Sequence, residues 1–120
     1  MDKVTARTTK PFSSDCLHEP MISVHTTVPN EETARSMARE LVEESLAACV
    51  NYHAVSSVYR WEGDIVEEDE YVLDIKTALE YDKVREIIEE NHPYDLPAVL
   101  RVETEANDKY DEWVEENSNR

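Results

Sequence analysis

Between Ala48 and Thr77, apolar and polar side chains alternate with a period of two on both sides of a single glycine, the pattern of two strands. Before Gly63, Val50, Tyr52 and Ala54 mark one face. Val55, Ser57, Tyr59 and Trp61 continue one residue out of phase, which predicts a β-bulge near Ala54 to Ser56. After Gly63, Tyr71, Leu73, Ile75 and Thr77 alternate against Glu70, Asp74 and Lys76. The pattern predicts a long hairpin, with the chain's only glycine supplying the positive φ of a tight turn. Each arm would span roughly 40 to 45 Å at about 3.3 Å per residue. Arms of that length overhang a core of this size, and their exposed aromatic edges need a partner. Other copies of the chain are the simplest one, so an oligomer is expected.

Elsewhere the period changes. Met21 to Thr27 reads as a short strand, and Asn30 then caps a helix whose first turn carries Glu31 and Glu32. Ala34, Met37, Ala38, Leu41, Val42 and Ser45 recur at spacings of three and four, giving that helix one apolar face. Leu79 to Asn91 predicts a second amphipathic helix with Tyr81, Val84, Ile87 and Ile88 inward, ended by His92-Pro93. A strand follows from Ala98 to Glu103, with Ala98, Leu100 and Val102 on one face, then a helix from Asp108 to Glu116 packing through Tyr110, Trp113 and Val114. The order β-α-β-β-α-β plus a terminal helix predicts an α+β chain of the ferredoxin-like class, built of two right-handed βαβ halves with the helices on one face of an antiparallel sheet.

Composition narrows the partners. The 120 residues allow one domain, and a formal net charge of −16 argues against nucleic acid and against an anionic membrane surface. Excess acid with few lysines suits a chain kept soluble in high salt, a halophilic reading set against that of an ordinary acidic cytosolic protein. Cys16 and Cys49 lie in unlike contexts, so a reducing, cytoplasmic setting is expected. Residues 1 to 20 lack periodicity and balance their charges. They read as a disordered or mis-called tail before a domain at 21 to 120, and Cys16 with His18 makes only a weak metal pair there. No apolar run reaches the roughly 18 residues of a membrane span.

One glycine excludes a Walker loop, a dinucleotide fingerprint and a nucleophile elbow. No nucleophile, base and orienter assemble from the spacings, so no enzyme is expected. Cys49 reads either as a small buried hydrophobe or as a soft ligand for copper or zinc. His92 reads either as a helix-end donor or as a metal ligand or proton carrier. Tyr59, Trp61, Tyr94, Tyr110 and Trp113 cover an interface or line a ligand cleft between subunits. Lys76 is a solvated or paired lysine or an anion binder. Glu67-Glu68-Asp69-Glu70 could be bridged by a hard cation, but alternation sends them to opposite faces, so the run reads as a solvated edge.

Several motifs in order carry a resemblance: Pro29 with Glu31-Thr33-Ala34, Leu46-Ala47-Ala48-Cys49-Val50-Asn51, Ser57-Val58-Tyr59, Trp61-Glu62-Gly63, Ile75-Lys76-Thr77, His92-Pro93-Tyr94, Pro97, and Tyr110 with Trp113. Over residues 21 to 120 the chain resembles the CutA family of divalent-cation tolerance proteins. The resemblance implies a ferredoxin-like homotrimer with hairpins paired between subunits. It also implies a response to metal ions through copper or another divalent cation, with Cys49 and His92 as metal residues. The family's shape is similar to that of trimeric PII signalling proteins, which implies an alternative: a small anion or metabolite in a cleft of Tyr59, Trp61, Lys76 and Tyr94. Thr26 and Asn91 stand where some bacterial members carry a copper-binding cysteine and histidine. Ala98 replaces an acid and Ala106 a glycine.

Overall fold

The computed structural model describes residues 20–119. The expected tail therefore falls outside the described residues except for Pro20, as do Cys16 and His18. The elements are β1 (Ile22–Val28), α1 (Glu31–Glu43), β2 (Cys49–Trp61), β3 (Asp64–Thr77), α2 (Tyr81–Asn91), β4 (Val99–Glu103) and α3 (Asp108–Asn117). The four strands form one sheet in the order β2-β3-β1-β4, antiparallel throughout, which is the expected ferredoxin-like arrangement.

Local chemistry sets the boundaries. Asn30 is extended, and its side chain accepts from the Thr33 N–H at 2.8 Å, opening α1. At the other end Ser45 takes the left-handed φ of 60° that closes the helix, a position glycine usually fills. Ser45 is thus past the helix rather than on its apolar face, and Val42, also expected inward, is 43% exposed. α2 begins at Tyr81 instead of Leu79 because Thr77 Oγ1 accepts from the Leu79 N–H at 3.0 Å, holding these residues in a turn.

The sheet has two faces. Ile22, Val24 and Val28 with Leu73 and Ile75 are buried in one core with Ala34, Met37 and Leu41 of α1 and Val84 and Ile88 of α2. The other face carries Ser23, His25, Thr27, Cys49, Asn51, Glu70, Asp74, Lys76, Leu100 and Val102, following the register and the alternation of the strands. We call it the open face. α3 lies against its Cys49 end, where Tyr110 touches Cys49, while Ser118 Oγ accepts from the Ala78 N–H at 2.9 Å.

The hairpin is regular. β2 and β3 pair without interruption from Cys49 opposite Lys76 to Trp61 opposite Asp64, so the expected bulge at Ala54 to Ser56 is absent. The phase slip has another cause. Up to Tyr52 the helix-side residues are the covered ones. Beyond it the arm outruns the helices, and the open-face residues Val55 and Ser57 become half-buried instead. The slip in hydrophobicity marks a change of covered face with no extra residue. At the tip Glu62 (φ 50°) and Gly63 (φ 88°) form the two-residue turn.

Candidate functional site

The segment after α2 determines where a site can form. His92 precedes Pro93 and leaves the helix with ψ 140°. Its Nε2–H donates to the Thr27 carbonyl at 2.9 Å, and its Nδ1 accepts from the Tyr94 N–H at 3.1 Å. A carbonyl only accepts and a backbone N–H only donates, so these two bonds select the neutral Nε2–H tautomer. Burial lowers the His92 pKa from its ordinary 6.5, outweighing the Thr27 carbonyl and the Glu70 charge, which act upward.

Tyr94 then reaches the hairpin. Its hydroxyl donates to Glu70 Oε2 at 2.6 Å, and Glu70 is only 7% exposed. The run Glu67 to Glu70 is therefore not wholly a solvated edge: the Tyr94 segment covers its last member. On the same face Tyr59 donates to Glu68 Oε1, with Trp61 two residues on. Burial and then the bond to Glu70 hold the Tyr94 hydroxyl far above its ordinary pKa of 10. The bond to Glu68 and then burial push Tyr59 up to about 12. Both phenols stay protonated donors at neutral pH.

Tyr59, Trp61, Tyr94 and Glu70 border one cleft of about 420 Å³, completed by Thr27, Arg60, Asp95, Leu96 and Ala98. Two larger depressions, of about 520 and 600 Å³, lie along α1 and beside the middle of the hairpin. Neither gathers more than one aromatic ring, so the smaller cleft is the better-built site.

Three of the four residues expected in a ligand cleft meet there, and the fourth does not. Lys76 stands at the other end of the open face, its Nζ donating to Asp74 Oδ2 at 2.7 Å and Asn51 Oδ1 at 3.0 Å. Cys49 shares that end: its Sγ lies 4.0 Å from Asn51 Oδ1 and touches Tyr110, whose hydroxyl burial and then Cys49 push up to about 12. His25 Nε2 lies 3.5 Å from Asp74 Oδ1, a buried oxygen that accepts no hydrogen bond among the described residues.

The proposed metal residues stand apart. Cys49 is opposite Lys76, whereas Thr27, which anchors His92, is opposite Val72. The offset is four residues along β3, about 13 Å, and two strand spacings, about 9.5 Å. Both His92 ring nitrogens are also engaged. Within one chain Cys49 and His92 do not fit a shared metal ion, and no three His, Cys, Asp or Glu side chains gather as ligands among the described residues. Thr26 faces the helices, donating to the Ala98 carbonyl at 2.7 Å, and Asn91 Nδ2 donates to the Ile87 carbonyl at 2.8 Å.

Glu70 is the residue that pattern reading missed. The signal was present in the register: counting back from the Gly63 turn places Glu68 and Glu70 on the face of Tyr59 and Trp61. Nothing local to the sequence says that Tyr94 covers it.

Residues 22–117 match the family model of the CutA1 divalent ion tolerance protein. The divalent-cation tolerance protein CutA of Thermus thermophilus is 43% identical over 95 residues, covering 77% of this chain and 92% of that protein. A solved structure of the divalent cation tolerance protein from Thermus thermophilus superposes with a TM-score of 0.77 at 41% identity, covering 82% of this chain and 99% of that one. A structure described as a PII-like protein CutA from Nostoc, in apo form, gives 0.77 at 31% identity, over 82% and 97% of the two chains. The chain belongs to the CutA1 divalent ion tolerance family.

Proposed function

We propose that this protein serves divalent-cation tolerance as a ligand-responsive homotrimer, binding a small organic molecule in the cleft of Tyr59, Trp61, Glu70 and Tyr94. The carrying observation is a cleft bordered by Tyr59, Trp61 and Tyr94 and by Glu70, a carboxylate only 7% exposed that accepts from the Tyr94 hydroxyl. Aromatic walls with one fixed polar group are what an orienting small-molecule site needs. The PII-like description of the Nostoc protein supports the reading by analogy of shape. Leu100 (58% exposed) and Val102 (37%) give the open face apolar surface for neighbouring copies to cover. The role is binding, without catalysis, in the cytoplasm.

A copper centre built from Cys49 and His92 is the rival reading. It requires two copies of the chain and the loss of a His92 hydrogen bond. Thermal unfolding of the full chain against a panel of small amines, carboxylates, nucleotides and divalent chlorides separates the two. The ligand reading predicts that an organic compound raises Tm in wild type and Cys49→Ala but not in Trp61→Leu. Stabilisation by copper or zinc alone, abolished by Cys49→Ala, would replace it with the metal reading.

A further inference from the structure

The ligand reading leaves the chemical class of the ligand open, and the charges around the cleft narrow it. Glu70 is a charged side chain more than nine-tenths buried, and its Oε2 accepts a hydrogen bond from a neutral phenol, Tyr94. Among the described residues no lysine, arginine or histidine forms an ion pair with it. A buried carboxylate without a cation is costly, and a positively charged ligand would supply the missing partner.

The rest of the lining points the same way. Asp95 adds a second carboxylate, and His92 behind Tyr94 is favoured in its neutral form by burial, its Nδ1 accepting from the Tyr94 N–H. Arg60 is the one cationic side chain among the lining residues. Strand alternation places it on the opposite face from Tyr59 and Trp61, and its Nη1 donates to the Gly63 carbonyl at 3.2 Å, which holds its charge at the hairpin turn. Lys76, read as a paired lysine or an anion binder, is paired with Asp74 and Asn51 elsewhere. The remaining walls are three aromatic rings, whose faces attract cations. The formal charge of −16 on the chain raises the local concentration of any cation and repels anions.

We infer that the cleft selects a small organic cation, an alkylammonium group seated by Tyr59 and Tyr94 with its charge toward Glu70 and the rest of the molecule running toward Trp61. This rests on the cleft being the ligand site and adds the ligand's charge class.

Titration calorimetry of the full chain with choline and with its neutral carbon isostere, 3,3-dimethyl-1-butanol, tests the charge at constant shape. The expected result is choline binding that the isostere matches only about tenfold more weakly or not at all. Glu70→Gln keeps an oxygen for Tyr94 but removes the charge, and should weaken choline about tenfold. Trp61→Leu alters an exposed side chain, cannot jeopardise the core, and should weaken choline to a similar degree. Equal binding of the two isosteres, or displacement of choline by acetate or phosphate, overturns the cation class. If choline fails while another compound stabilises the chain in a Trp61-dependent way, the class falls and the ligand site stands. If no organic compound binds, both fall.

Discussion

At the scale of single residues, Glu70 and His92 carry the cleft, and each depends on hydrogen bonds that a small substitution removes. Tyr94→Phe deletes the donor to Glu70 Oε2 and leaves a buried charge short of one bond. Bonds to charged groups contribute about 1.5–3 kcal/mol, so urea unfolding should show a loss of that order, tempered by the partial exposure of Tyr94. His92 gives a pH signature. Its folded pKa lies below the 6.5 of the unfolded chain, so the neutral ring stabilises the fold above pH 6.5. That contribution is lost as the pH falls through the depressed folded value. The drop in Tm between pH 7 and pH 5 should therefore be smaller in His92→Gln than in wild type. An equal drop in both would show that carboxylates alone set the acid response.

At the scale of elements, the hairpin is held by its turn and α1 by its cap. Gly63 has φ 88° with open space where a Cβ would stand, so Gly63→Ala suffers only backbone strain. The cost should be about 1 kcal/mol in chemical denaturation. Asn30→Ala removes the bond to the Thr33 N–H and should cost a similar amount, about 1 kcal/mol. How much was legible in the sequence follows from the range of the physics. Strand alternation, the lone glycine, the Asn30 cap and His92-Pro93 are local signals, and each gave its element within about two residues. The supposed bulge misled because hydrophobicity reports which face is covered, and that depends on where α1 and the Tyr94 segment end in space. Tyr59, Trp61 and Tyr94 were readable as cleft residues from their motifs. Glu70 was not, and Lys76, readable as paired or anion-binding, is paired outside the cleft, since a charged side chain's burial and partners are settled by other segments: Tyr94 is 24 residues from Glu70 and Asn51 is 25 from Lys76.

At the scale of the whole molecule, the described residues span 54 × 30 × 22 Å, elongated along a hairpin that carries exposed Val58 and Ile65 toward its tip. Trimerisation would cover such surface, and Leu100→Asp on the open face should shift sedimentation of the full chain from three copies toward one. An unchanged trimer would take β4 out of the interface. The charge of −16 predicts a Tm that rises with potassium chloride as repulsion among carboxylates is screened. The most direct test of the central claim is a crystal structure of the full chain grown with choline and copper, with anomalous scattering recorded at the copper edge. Organic density is expected among Tyr59, Trp61, Tyr94 and Glu70, with His92 still bonded to Thr27 and Tyr94. A copper peak joining Cys49 of one copy to His92 of another, with the aromatic cleft empty, would contradict it.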